Sequence, residues 1–293
     1  MQVVVCAIAK NEHLYINDWC HWYLNIGFDR IYLFDNDDKT SPFIGDFIDA
    51  DIRNKVTIID VRGKHVKKLQ IKKYKYFYKK YHKTFDWCFF PDIDEFLAGI
   101  PNIKAFLSQP KFRTIHSIRV KWRLIGDDNL ITRDMSKPVY ECLHICVEDT
   151  EHLPGYNSVE IFYHKNQGKY LLRGKLKHRV TIQSEHYAGK GKKEKWLKSV
   201  LPSGIPCKSE IIIEESYVNE KIYLNHYMTK TLSEFVNQKL GRTDAIFKDR
   251  ELKLSYYWRI NKMTPEKINW LYENNYITLQ ELNWAYGAIS AQG

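Results

Sequence analysis

The stretch FFPDIDEFLAG, residues 89–99, sets Asp92, Asp94 and Glu95 directly behind a hydrophobic run. Carboxylates are costly to bury unless a cation or hydrogen-bond donors meet them. If the run is a strand, Asp92 and Asp94 share a face, because strand side chains repeat every second residue. Two carboxylates on one face suit Mg2+ or Mn2+, hard cations that take one or two protein carboxylates together with substrate phosphates. A bare DxD is nevertheless common and, in isolation, reads as a solvated strand end. His226, in YLNHYMTK, is by itself an ordinary core histidine. It becomes a candidate Mn2+ ligand if its segment folds over the DxD, since imidazole binds that ion well. Cys142, His144 and Cys146 in ECLHIC alternate at period two, but a structural zinc site needs a fourth ligand and the sequence offers no evident one.

Such residues act only if strands bring them together. VVVCAIA (3–9) is a short β-rich run of the kind buried on both faces of a parallel sheet. NEHLYINDWCHWYLNIG follows with apolar residues near helical spacing and stops at Gly27. DRIYLFDN and KVTIIDV (55–61) read as strands two and three, KHVKKLQIKKYKYFYKKYHK as a long helix, and DWCFFPDID as strand four. Alternating strands and helices imply right-handed crossovers and a largely parallel sheet, in which ligands collect at the carboxyl ends of the strands. Lys10, Asn11, Glu12, Asp35, Asn36, Asp92, Asp94 and Glu95 all fall at those ends. TIHSIRVKWRLIG is a fifth strand, and YLLRGKLKHRVTIQ and KIYLNHYMT supply later strand material. From TLSEFVNQKLG the pattern is helical, capped by Thr231 or Ser233, and TPEKINWLYEN opens another helix with Thr264 at its cap.

The 293 residues are 44% hydrophobic, enough for one substantial core with an appendage. A formal charge of +10 attracts phosphates, nucleotides, nucleic acid or an anionic membrane face without choosing among them. Six cysteines without a framework spacing read as free thiols in a reducing cytoplasm. The amino terminus lacks the basic lead and cleavage site of a signal peptide, and no run approaches about 18 apolar residues. The expected location is the cytoplasm, with its side of the membrane as an alternative. The lysine-rich helix of residues 64–83 reads first as amphipathic with a solvated basic face, and second as attracted to anionic headgroups or to a lipid-linked substrate.

Four ordered segments resemble the bacterial family-2-like glycosyltransferases with a GT-A fold, related to family 92. They are AIAKNEHLYINDWCHWYLNIGFDRIYLFDN, the metal motif DWCFFPDIDEFL, VKWRLIGDDNL, and the histidine motif LNHYMTKTLSEFVNQKLGR. Together they extend over most of residues 1–245. Pro91 stands where the group usually has an apolar residue, and Gly126-Asp127-Asp128-Asn129 approximates its glycine-rich turn.

The resemblance implies an α/β, GT-A type nucleotide-diphospho-sugar transferase fold. Its sheet would be mostly parallel and flanked by helices, with a transferase domain over 1–230 and a helical extension over 231–293 packed on it. It implies transfer of a sugar from a nucleotide diphosphate donor, UDP-linked, to a glycan or lipid-linked acceptor in surface polysaccharide synthesis. Asp92, Asp94 and His226 would hold Mn2+ or Mg2+. Ala9, Lys10, Glu12, Asp35, Asn36, Asp92, Arg173 and Lys230 would bind the donor: Glu12 and Asp35 at nucleoside hydroxyls or base edges, and Lys10, Arg173 and Lys230 at the diphosphate. For an inverting reaction Asp127 is the expected acceptor base, with Asp128 and Glu148 as substitutes. Two other classes stay open. A nucleotidyltransferase also uses paired aspartates and metal, but the chain lacks a clear glycine-rich phosphate loop. A basic nucleic-acid-binding protein fits the charge, but no standard reading helix or RNA-binding motif is present.

Overall fold

The computed structural model describes residues 1–64, 66, 68–147, 167–176, 180–184, 186, 188–190, 195–207, 212, 217, 220–241, 252–258 and 260–290. The chain divides into two compact units, Met1–Trp122 with Phe162–His226, and Arg123–Ile161 with Tyr227–Gly293. The carboxyl-terminal crossing lies close to the expected boundary at 230. The second unit, however, also takes in 123–161, which the motif order assigns to the transferase domain.

The first unit opens as its apolar runs dictate. β1 (Val3–Ala9) is buried throughout except at Ile8, and helix α1 (Ile16–Asn25) turns Ile16, Trp19, Cys20 and Tyr23 inward. The chain leaves α1 through Gly27 at φ +100°, a conformation glycine adopts without a Cβ penalty. β2 (Arg30–Asp35) and β3 (Val56–Asp60) pair in parallel with each other, and β1 pairs in parallel with β2. Helix α2 (Leu69–Tyr81) buries Leu69, Tyr74, Phe77 and Tyr78, the last three in a cluster that also holds Cys6, Cys88, Phe85, Phe90 and Tyr170. Tyr74, Phe77 and Tyr78 are core, as their helical spacing implies, while Tyr76 faces outward.

Only the first part of the expected fourth strand, DWCFFPDID, is a strand. β4 (Trp87–Phe89) stops before Pro91, so the missing N–H at that proline takes no hydrogen bond from the ladder. β5 (Glu95–Ala98) begins just past the DxD. Asp92 and Asp94 therefore sit in a turn, closed by the Glu95 amide on the Asp92 carbonyl at 3.2 Å, and strand alternation is not what brings them together. Next come α3 (Ile103–Leu107), β6 (Ser117–Leu124), β7 (Gly168–Arg173), β8 (Val180–Ile182), β9 (Ala188–Lys190), β10 (Lys195–Trp196), β11 (Ser199–Val200) and β12 (Tyr223–His226).

The main sheet has nine strands, ordered β3-β2-β1-β4-β7-β6-β12-β5 with β11 on β6, and β8–β10 form a separate small sheet. β1 and β4 are parallel, while β4–β7, β6–β7 and β5–β12 are antiparallel. The sheet is thus mixed and not mostly parallel: crossover helices build one half, and antiparallel pairings between segments far apart in sequence build the other. β4 and β5 are joined by a short link yet lie with β7, β6 and β12 between them. Four inter-strand gaps would span about 19 Å if flat. A six-step link reaches at most about 20 Å fully extended, and this one contains a turn. The sheet must therefore curl to bring β5 back. Gly168 permits the tight β6–β7 approach, since a Cβ there would meet the Val120 carbonyl oxygen at 1.9 Å.

The second unit holds α4 (Val139–Cys142), α5 (Leu232–Gln238), α6 (Leu254–Tyr257), α7 (Pro265–Glu273) and α8 (Leu279–Ser290). Leu232, Phe235, Tyr257, Ile268, Leu271 and Ala285 form its core. Thr231 caps α5 in a reciprocal box with Glu234, and Thr264 caps α7 with Pro265 in the first turn. Cys142 is helical, so the period-two alternation of Cys142, His144 and Cys146 does not put the three on one strand face. No helix among the described residues is long and apolar enough to cross a membrane.

Glu234 also pairs with Arg133 at 2.9 Å, with both side chains almost wholly buried. Burial opposes ionisation of Glu234, but the guanidinium outweighs it and holds the carboxyl below its usual 4.5. A depressed folded pKa contributes stability above the unfolded value and loses it as pH falls through the folded one. Glu234→Gln leaves Arg133 without its counter-charge, so it should cost about 3–5 kcal/mol at neutral pH. It should also remove the acid-dependent loss below 4.5. Urea unfolding of parent and variant between pH 3 and 7 measures both, and parallel curves would refute the assignment.

Candidate active site

The site is built around a carboxylate with no solvent exposure. Glu95, first residue of β5, accepts from the Trp122 indole N–H at 2.7 Å and from the Asp92 amide at 2.8 Å. One side chain thereby ties β6 to the DxD turn. Burial pushes the Glu95 carboxyl well up; the nearby Lys169 ammonium opposes this, and Asp92 and Asp94 add to it. Trp19 and Tyr23 of α1 fasten the same turn, donating to the carbonyls of Asp92 (3.0 Å) and Glu95 (2.9 Å).

Asp92 is held on both oxygens. Gln70 Nε2 donates to Oδ1 at 2.7 Å, and Lys169 Nζ meets Oδ2 at 2.7 Å. Lys169 is fully buried at the start of β7, 3.8 Å from Glu95 and 5.7 Å from the centre of the Trp122 ring. It serves as the cation that a buried carboxylate turn requires. The motif reading misses it, although its signal was present: a lysine inside the apolar strand GKYLLR. Antiparallel pairing carries that signal to the site. β7 runs against β4, so its first residues, not its last, reach the DxD edge.

The same pairing moves Arg173 away. It is the register partner of Trp87, at the opposite edge of β4, and its guanidinium donates to the carbonyls of Ile115 and Phe112 at 2.7 Å while lying over the Trp87 ring. Its expected diphosphate contact is therefore replaced by a structural one.

Asp94 and His226 do converge. His226 opposes Glu95 in the β5–β12 ladder, and its Nε2 lies 3.4 Å from Asp94 Oδ1. Two cis ligands about 2.1–2.2 Å from one ion stand about 3 Å apart, so this pair fits Mn2+ or Mg2+ with little movement. His226 packs tilted against Trp122 with centroids 4.7 Å apart, and its Nδ1 is buried without a hydrogen-bond partner among the described residues. His186 reaches the other side of the cluster. Its Nδ1 lies 3.0 Å from the Gly168 carbonyl and its ring meets Trp122 edge-on, while burial and then Lys169 hold its pKa well below 6.5.

At the ends of β1 and β2 the structure gathers Ala9, Lys10, Glu12, Asp35 and Asn36. The Asn36 amide donates to the Ala9 carbonyl at 2.9 Å, and Asn36 Oδ1 is buried without a partner among the described residues. Asp35 is spent on its own loop: its carboxylate accepts from the amides of Asp37 and Ile44, and burial raises its pKa. Asp37, which the motifs did not single out, takes the Asn11 amide at 2.5 Å and His13 at 3.1 Å, fixing the two loops to each other. A separate exposed group, His21, Asp49 and Asp51, places possible ligand atoms within 4.8 Å of one another.

Lys230 and Asp127 belong to the second unit. Lys230 is buried at φ +57°. Asp127 is also buried: its Oδ2 accepts from the Tyr257 hydroxyl and from Lys267 Nζ at 2.5 Å, its Oδ1 from the Asn129 amide, and its own amide donates to Asn261. Such a carboxylate anchors the 126–129 turn to α6 and α7. With both oxygens engaged inside the unit, the carboxylate is placed to hold the turn and not to meet an acceptor hydroxyl. Asp128 is likewise engaged, accepting from the amides of His144 and Ile145. Glu148 lies outside the described residues.

No protein-family model matches the chain, and no curated protein matches it.

The anchoring role of Asp127 has a measurable consequence. Asp127→Asn keeps the shape but strands the buried Lys267 ammonium, so the second unit should lose about 3–5 kcal/mol in urea unfolding. A change under about 1 kcal/mol would leave the carboxylate free for chemistry.

Proposed function

We propose that this chain is a metal-dependent glycosyltransferase of GT-A type. It moves a sugar from a nucleotide diphosphate donor, UDP-linked, to a glycan or lipid-linked acceptor in surface polysaccharide synthesis, with inversion. The observation that carries the reading is the approach of His226 Nε2 to Asp94 Oδ1 at 3.4 Å beside the DxD turn. Two residues far apart in sequence meet there as a half-site for an oxygen-seeking divalent cation, at the strand ends where nucleotides bind in α/β sheets.

Asp94 and His226 would hold Mn2+ or Mg2+. When bound, the ion offsets the negative charge that grows on the leaving diphosphate. The chain's own groups supply the rest. Lys169 holds the Asp92 side chain in place and adds a buried positive charge beside the diphosphate position. Lys10 is proposed for the same diphosphate as a point charge. The unpartnered Asn36 Oδ1 and the Glu12 carboxyl offer acceptors for base or ribose donors near Ala9. Trp122 excludes water from the face of His226. The six free thiols support a reducing compartment, the cytoplasm.

Calorimetric titration with UDP, with and without Mn2+, tests the reading. The parent should bind UDP at least tenfold tighter with Mn2+, and Asp94→Ala and His226→Ala should each abolish that gain while melting within a few degrees of the parent. Incubation with nucleotide sugars should release nucleoside diphosphate, whereas pyrophosphate would indicate a nucleotidyltransferase. Metal-independent UDP binding, or variants that keep the Mn2+ effect, would overturn the assignment.

A further inference from the structure

Residues 64–83 carry nine lysines and no acidic residue. On α2 and its leading turn, Lys68, Lys72, Lys75 and Lys79 recur at intervals of four, three and four residues and are all exposed. At 3.6 residues per turn they fall within about 60° of the circumference, along about 16 Å of helix. The opposite side is the aromatic core face already described, so the line cannot turn inward. None of these four lysines takes part in an ion pair among the described residues. The nearest acidic groups in sequence are engaged elsewhere: Asp60 by Arg62 at 3.1 Å and Asp86 by Lys175 at 2.9 Å.

Like charges three or four residues apart destabilise a helix, so the row is unfavourable for folding and becomes favourable only against an external anion. Two further features describe that anion. Tyr76 and Val66 are about half exposed beside the row, and Lys80 lies 5.6 Å over the Tyr76 ring, which holds the ring outward at the level of the charges. A straight basic row flanked by an outward tyrosine and an aliphatic side chain matches a flat surface with anionic headgroups above and hydrocarbon below, where tyrosine is favoured at the interface.

We propose that α2 docks this protein on an anionic phospholipid leaflet through Lys68, Lys72, Lys75 and Lys79, with Tyr76 and Val66 seated among the headgroups. The surface is independent of the metal half-site and stands whether or not the chain transfers sugars. Each lysine near an anionic leaflet strengthens binding by a factor of about five, and the attraction falls as salt shortens the Debye length.

Co-sedimentation of the full chain with phosphatidylglycerol/phosphatidylcholine vesicles, against pure phosphatidylcholine vesicles, tests this. Binding should require the anionic lipid, fall steeply between 50 and 500 mM salt, and drop at least tenfold in the variant Lys68→Gln/Lys72→Gln/Lys75→Gln/Lys79→Gln. A control variant with Lys55, Lys137, Lys221 and Lys262 changed to Gln carries the same net charge and should fall by less than threefold. Lys72→Gln/Lys79→Gln replaces the four-site variant if that one does not melt cooperatively. Tyr76→Ser should weaken vesicle binding without altering the salt slope. Absence of binding to anionic vesicles, or an equal loss in the control, would overturn the proposal. So would tighter α2-dependent binding to a single-stranded oligonucleotide than to the vesicles, which would assign the row to nucleic acid.

Discussion

Glu95 is the constraint on which the first unit depends. A carboxyl without solvent contact has to have its oxygens met, and here the Trp122 indole, the Asp92 amide and the approach of Lys169 meet that demand. Those partners come from β6, the DxD turn and β7, three segments spread over more than seventy residues. Satisfying one group fixes where two strands and the turn must stand. The approach of His226 to Asp94 follows from that arrangement: with Glu95 locked on β5, its ladder partner His226 stands 3.4 Å from Asp94.

The second unit is organised by the same kind of interaction at two other places. Arg133–Glu234 and Lys267–Asp127 are buried opposite charges with further hydrogen bonds on their carboxylates. Such pairs add less to stability than their Coulomb energy suggests, because desolvation offsets it. Their stronger effect is on specificity, since a mispaired arrangement would leave a bare charge inside.

Much of this was legible in the sequence, and the physical reasons for the rest differ case by case. VVVCAIA was readable because a strand buried on both faces is apolar without interruption, and Thr231 and Thr264 because capping is local chemistry. The DxD was visible as a motif, but its turn was not: Pro91 fits a strand end or a loop, and only β5 pairing with distant β12 decides between them. Arg173 and Lys169 look alike as basic residues flanking one apolar strand. Strand direction sends the lysine to the carboxylates and the arginine to the far edge, and direction in a mixed sheet is a long-range property that no window reports. Asp127 reads as a free acid after a strand because Lys267, its partner, is 140 residues on.

The placement of β7 beside β4 also bears on how the chain leaves the ribosome. β1, β2, β3 and β4 can assemble as soon as they are made, but the ladder partner of Phe89 is Leu171, some eighty residues later. At about 5–20 residues per second, β4 waits roughly four to sixteen seconds with its hydrogen-bonding edge uncovered. That edge is three apolar residues long, Trp87 to Phe89, and a proline follows within two positions. Short edges and nearby prolines are the means by which sheets resist pairing with strangers. The brevity of β4 thus protects the nascent chain from its neighbours on a crowded polysome.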